Sequence, residues 1–193
     1  MVDVKSGQVA WECSRDLCGF LGRTILDSTS RLSKILSSSD DQINMLEIGC
    51  GVGDPLCSVI TALIDRGYSG TMNVVFQDYN NETIESVTKP NVEARLAKLS
   101  LEARNSIRFS WLVGPWETLS LDEFPKFDLI LSSECVYRED LFESFSSVVD
   151  NALSPNGVCY VAAKRYYFGC GGGTIEYSDY LAHTPLYLSL IHI

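Results

Sequence analysis

The sequence predicts an α/β fold, a mostly parallel sheet with helices on both faces. Two observations carry this expectation. Short apolar runs alternate along the chain with amphipathic stretches of helical period, and the first run closes on a glycine-rich loop. Strands separated by helices are the mark of a parallel sheet covered on both sides.

The elements follow in order. From Trp11 to Leu36, apolar residues at Leu17, Phe20, Leu21, Ile25, Leu32 and Ile35 recur at helical spacing, with a break near "DSTS". "INMLEIG" is too short for a helix and reads as a buried first strand. "PLCSVITALIDRGYSG" is helical and stops at Gly67 or Gly70. "TMNVVFQD" is the second strand, and "NETIESVTKPNVEARLAKL" is a helix interrupted or ended before Pro90. "SIRFSWLV" is the third strand, leading into "GPW", and "FDLILSS" is the fourth, leading into "ECVYRED". A helix over "DLFESFSSVVDNAL", a turn at "SPNG" and a fifth strand, "VCYVAAK", complete the pattern. There is no internal repeat, low-complexity tract or linker.

Composition bounds the function. The chain has 193 residues, the size of one domain. Its net charge of -10 argues against a tight, non-specific grip on a nucleic-acid backbone and suits a basic protein partner, or simple solubility. Seven scattered cysteines, odd in number and without a CxxC, indicate neither a disulfide framework nor a zinc site. They read as buried thiols of a reducing compartment, cytoplasmic or nuclear. No N-terminal leader and no membrane-spanning run is evident, and no metal is expected.

The loop "MLEIGCGVGD" carries the first functional signal. In an open parallel sheet, ligands bind beyond the carboxyl ends of the strands where strand order reverses. Gly49, Gly51 and Gly53 there would let the main chain turn sharply and approach a ligand. The dinucleotide pattern G-x-G-x-x-G would need glycine at Asp54, whose carboxylate repels phosphate, and no G-K-[ST] follows. An acid before G-x-G-x-G instead resembles the first motif of class I S-adenosylmethionine-dependent methyltransferases, where Glu47 or Asp54 would attract the ammonium of the methionine part. Asp78, ending the second strand in "FQDYN", lies where such folds place an acid for two ribose hydroxyls.

Taken together, "WECSRDL", "LEIGCGVG", "FQDYN" with "VTKPNV", "GPW", "SSECVY" and "YYFGCGGG" resemble the histidine protein methyltransferases over roughly Lys5 to Gly173. The resemblance implies a Rossmann-like class I methyltransferase sandwich. It implies that Ala10, Trp11, Glu12, Cys13 and Ser14 border the methionine side of S-adenosylmethionine and that Gly49 lies beneath it. Gln77, Asp78 and Tyr79 would surround the ribose, Gly114 and Trp116 the adenine, and Ser133 would follow the fourth strand beside the reaction centre. Core packing is the alternative for Trp11 and Trp116, but the place of Trp116 on a loop after Gly114 and Pro115 tilts it towards ligand contact. "ECVY" resembles the acid-x-x-Tyr motif of the wider protein methyltransferases, with Glu134 and Tyr137 facing the substrate. Glu134 also reads as an ordinary glutamate at a helix N-terminus.

The implied activity is methyl transfer to a histidine of a protein, with a large-subunit ribosomal protein as leading candidate. Protein-lysine methylation, an inactive cofactor-binding scaffold and, third, a nicotinamide-dependent oxidoreductase are the alternatives. The expected organisation is a helical segment over 1–40, a methyltransferase core over 41–173 and an atypical tail over 174–193. "GCGGG" reads either as a flexible connection or as a mobile or close-approach lip. The family's sixth strand and reversed seventh are not readable after Gly173, so a truncated or misassembled C-terminus is expected, with the sheet ending at strand five.

Overall fold

Strand β1 (Gln42–Ile48) pairs in parallel with β2 (Thr71–Asp78) on one side and β4 (Phe127–Ser133) on the other. Beyond β2 lies β3 (Ile107–Val113); beyond β4 lie β5 (Leu153–Ala163) and β6 (Ser189–His192). The order is therefore β3-β2-β1-β4-β5-β6, all parallel. The chain winds outward from β1 to β3 and then returns to its other side, which opens a crevice at the carboxyl ends of β1 and β4. This computed structural model describes residues 10–38, 41–183 and 189–192. The stretch before Ala10, read above for targeting signals, and residues 184–188 and 193 lie outside them.

Alternation along each strand divides the core. Ile43 and Met45 of β1, Met72, Val74 and Phe76 of β2, and Leu129 and Leu131 of β4 face one side. There they meet α1 (Glu12–Leu26), α2 (Arg31–Ser38), α3 (Asp54–Asp65) and α5 (Lys89–Leu96). Leu46, Ile48, Val75 and Ile130 face the other side, against α7 (Phe142–Ala152) and α8 (Thr174–Leu181). Burial of a single Leu or Ile side chain in either layer contributes about 1.5–3 kcal/mol. Among the described residues, no helix is long and apolar enough to cross a membrane.

Three local features refine the sequence reading. The break at "DSTS" is an Asx turn in which Asp27 Oδ1 accepts from the Thr29 N–H at 2.9 Å and its hydroxyl at 2.7 Å. Ser30 Oγ then accepts from the Ser33 N–H and starts α2. Pro90 does not end its helix: α4 (Asn81–Thr83) runs through a π-helical turn (Ile84–Thr88) straight into α5. Proline clashes with the carbonyl four residues earlier in a regular helix, and the wider turn takes up that strain. "SPNG" is no separate turn but lies inside β5, at a register shift opposite Phe127 to Leu129. The short α6 (Leu101–Asn105), started by Ser100, leads into β3.

The tail carries two further elements. Beyond Gly173 the chain forms α8, and residues 189–192 add a sixth strand to β5, where the sequence reading placed none. The seven cysteines are unpaired; Cys13, Cys50, Cys57, Cys135 and Cys159 are buried and Cys170 is exposed.

Candidate active site

The loop after β1 is held in a shape that demands glycine. Gly49, Gly51 and Gly53 have φ of 62°, 50° and 74°, all left-handed. At Gly49 the requirement is double, because a Cβ there would lie 2.3 Å from Cys135 Sγ. Cys135 is buried, and its thiol reaches the Ile48 carbonyl at 3.5 Å. The loop is tied to β2 at successive residues. Gly49 N–H donates to Gln77 Oε1 at 3.3 Å, Cys50 N–H to the Gln77 carbonyl at 2.8 Å, and Gly51 N–H to Asp78 Oδ2 at 3.0 Å.

Asp78 therefore faces the loop from the end of β2. Its second oxygen accepts from the Asn80 N–H at 3.0 Å, and the Tyr79 N–H is a third backbone donor to the same carboxylate. Burial pushes its pKa up, against the lowering by those backbone N–H groups. The side-chain amide of Gln77, expected beside the ribose, is engaged within the protein. It is fully buried and acts as a strut, its Oε1 accepting also from Trp116 Nε1 at 3.1 Å and its Nε2 donating to the Gly114 carbonyl at 2.9 Å. Trp116 packs on Phe145 with ring centroids 5.3 Å apart, so its indole N–H and one side of its ring have protein partners. Tyr79 stands exposed at the rim.

The two acids flanking the glycines are separated by the fold. Asp54 is no candidate for a ligand's ammonium, since Arg95 pairs with it at 2.7 Å and Asn91 Nδ2 donates to it at 3.0 Å. Glu47 lies under the loop, buried, with Oε2 accepting from Leu56 N–H of α3 at 3.0 Å and Oε1 without a partner. Burial, reinforced by the charges of Asp54 and Asp78 and opposed by the Leu56 N–H, pushes its pKa up to about 8.

Glu134, just beyond β4, is the one described non-glycine residue with positive φ, 60°. Strain of this kind persists where the surroundings over-determine it, and here Glu134 N–H is pinned to the Ala162 carbonyl at 2.9 Å. The Tyr167 hydroxyl donates to Glu134 Oε2 and in turn accepts from Lys164 N–H at 3.2 Å. Glu134 Oε1 is buried and unpartnered. The buried Cys13 of α1 lies beside this carboxylate; burial first, then a hydrogen bond to Glu134 and the Glu134 charge, raise its pKa. Glu12 reaches Lys164 at 3.8 Å, so the "WEC" segment borders the ends of β4 and β5. Ala10 and Ser133 are half-buried there and Ser14 is buried, while Trp11 begins α1.

Tyr167 and Lys164 escaped the sequence reading, which took only the glycines from "YYFGCGGG". Those glycines form a close-approach clasp. A Cβ on Gly172 would sit 2.3 Å from the Tyr137 carbonyl carbon, and Gly173 N–H donates to the Val136 carbonyl at 2.9 Å. Tyr137 is held edge-on to Tyr167, with centroids 6.3 Å apart. The candidates from five separate stretches thus converge on one rim of the sheet.

Comparison with known proteins bears on this rim. The family profile described as "Lysine methyltransferase" matches residues 1–168. The "Histidine protein methyltransferase 1 homolog" of Dictyostelium discoideum is 33% identical over 178 residues, covering 92% of this chain and 49% of the relative. That of Bos taurus is 28% identical over 192 residues, covering 88% and 46%. The chain thus spans about half the length of the curated relatives it matches. A putative class I S-adenosylmethionine-dependent methyltransferase from Listeria monocytogenes superposes with a TM-score of 0.54 at 14% identity, over 82% of this chain and 47% of that one. At such identity the likeness shows the fold alone, that of class I methyltransferases.

Proposed function

The chain belongs to the lysine methyltransferase family, and on that premise we propose that it transfers a methyl group from S-adenosylmethionine to an imidazole nitrogen of a histidine in a protein. The observation that carries this reading is the meeting, on one rim, of the glycine loop bonded to Asp78 and the strained acid Glu134 with a buried, unpartnered oxygen. The names of the curated relatives support histidine as the acceptor.

The residues present fit the donor. Asp78 would accept from the ribose hydroxyls at the end of β2, and the exposed Tyr79 and half-buried Trp116 would flank the ribose and adenine. Gly114 lies with them, while Ala10, Trp11, Glu12, Cys13 and Ser14 would line the methionine side with Gly49 below. Once bound, S-adenosylmethionine supplies an electrophilic methyl on a sulfonium centre. The remaining work is orientation, because a neutral imidazole already offers a lone pair at neutral pH. Glu134 Oε1 would accept the ring's N–H, fix the tautomer, stabilise the imidazolium formed on transfer and receive its proton. Tyr137, beside it, would bound the acceptor.

A basic polypeptide suits the charge of -10, and a large-subunit ribosomal protein is the substrate to try first, which would set the activity in the cytoplasm or nucleus. Lysine is the second reading, favoured by the family's description. The test has two steps: calorimetric titration with S-adenosylhomocysteine beside an Asp78→Ala control, then tritiated methyl transfer to ribosomal protein followed by amino-acid analysis. Methylhistidine is expected. Methyllysine, with a rate climbing steeply with pH as the ammonium loses its proton, would replace the histidine reading. Cofactor binding without transfer would favour a scaffold.

A further inference from the structure

The π-helical turn and α5 carry three side chains that all point at the glycine loop. Thr88 Oγ1 lies 2.5 Å from the Gly51 carbonyl oxygen and 3.1 Å from that of Thr83, so its single hydroxyl proton goes to the nearer, on the loop. Asn91 Nδ2 donates to the Val52 carbonyl at 2.5 Å and to Asp54 Oδ1 at 3.0 Å. Arg95 closes the series on Asp54 Oδ2 at 2.7 Å. Residues 88, 91 and 95 share one helical face, and they engage residues 51, 52 and 54 in the same order. The loop with three left-handed glycines has little intrinsic preference for any one shape. It is this loop that the helix grips.

We infer that Thr88, Asn91 and Arg95 are positioning residues that clamp the glycine loop in its ligand-receiving shape, so that affinity for the methyl donor depends on side chains that do not touch it. The inference rests on the reading of the loop as a methyl-donor pocket. The geometry explains how the clamp acts. The Gly51–Val52 peptide is trans, so anchoring its carbonyl on the helix turns the Val52 N–H the opposite way, away from Thr88. The same anchoring leaves the Gly51 N–H aligned on Asp78, which couples the clamp to the ribose acid. The π turn is what delivers Thr88. One extra residue in the turn both relieves Pro90 and rotates Thr88, fully buried, onto the loop. The "VTKPNV" segment then has a physical reason: the proline enforces the turn, and the threonine and asparagine use it.

The test is calorimetric titration of S-adenosylhomocysteine into the wild type, Thr88→Val, Thr88→Ser and Asn91→Leu, with circular dichroism to establish folding. Thr88→Val keeps the shape and removes the hydroxyl, and Asn91→Leu empties the second contact. Each should weaken binding about tenfold, the worth of one hydrogen bond. Thr88→Ser keeps the hydroxyl and should restore affinity to within about twofold, a rescue that a packing role would not produce. A folded Thr88→Val that binds like the wild type overturns the inference, as does a Thr88→Ser as weak as Thr88→Val. If Thr88→Val does not fold, Asn91→Leu decides: wild-type affinity in a folded variant overturns the clamp. A folded wild type that binds no S-adenosylhomocysteine is a separate failure, which removes the methyl-donor reading and the clamp with it.

Discussion

Replacing Gly49 by alanine tests the close approach at the heart of the site. The new methyl group faces two costs. The left-handed backbone, φ 62°, costs about 1–2 kcal/mol for a residue with a Cβ. The second cost is steric: Cys135 Sγ would lie 2.3 Å from the Cβ, against roughly 3.5–4 Å for ordinary contact, so one of them must move by more than about 1 Å in a packed interior. Overpacking of this kind costs about 1–3 kcal/mol, giving roughly 2–5 kcal/mol in all. The two costs are separable because Cys135 Sγ is the one atom within 4 Å of that Cβ outside the neighbouring residues. Cys135→Ala alone should lose about 1 kcal/mol as a buried truncation. In the double variant the clash disappears while the backbone strain stays, so urea unfolding should return a favourable coupling of about 1–3 kcal/mol. A coupling below about 0.5 kcal/mol would refute the steric half of the argument, and a double variant as stable as Cys135→Ala would refute the backbone half.

Three further outcomes follow from the same geometry. Glu47 has a folded pKa raised from 4.5 to about 8, so its contribution to stability is fully present below pH 4.5 and is lost progressively as the pH rises to about 8. Unfolding free energies at pH 5 and pH 8 should differ by on the order of a few kcal/mol, and by clearly less in Glu47→Gln, whose amide oxygen can still accept from Leu56 N–H. Asp78→Ala should weaken S-adenosylhomocysteine binding about a hundredfold by titration, since two hydrogen bonds to a charged group are removed and the Gly51 N–H loses its anchor. Tyr167→Phe should lower the methyl-transfer rate about tenfold or more while leaving that binding within about twofold, because it frees Glu134 Oε2 without touching the glycine loop.

Local pattern was enough for most of the architecture. The boundaries of β2 and β4 coincide with the apolar runs read for them, and the end of α3 with the Arg66–Gly67 pair, because a strand buried on both faces and a helix stopped by glycine leave signals within a few residues. The same locality made Gly49 and Asp78 legible as candidate site residues, since each lies at the carboxyl end of a strand in a parallel sheet. Where the structure added what the sequence did not show, the deciding contact was distant along the chain. Gln77 reads as a ribose neighbour from its place beside Asp78, but its amide is consumed by Gly49, Gly114 and Trp116. Asp54 reads as an open acid until Asn91 and Arg95 arrive from another helix.

The sequence by itself determined the alternation of strands and helices, the place of the glycine loop and the acids bordering it, because periodicity and turn chemistry are written in neighbouring residues. Only the tertiary structure decided what those residues do to one another. It put Tyr167 on Glu134 across 33 positions, Thr88 on Gly51 across 37, and Gly172 against the backbone of Tyr137. These pairings have no local propensity to announce them. They arise when a parallel sheet brings the carboxyl ends of its strands to one edge, where groups far apart in the chain meet.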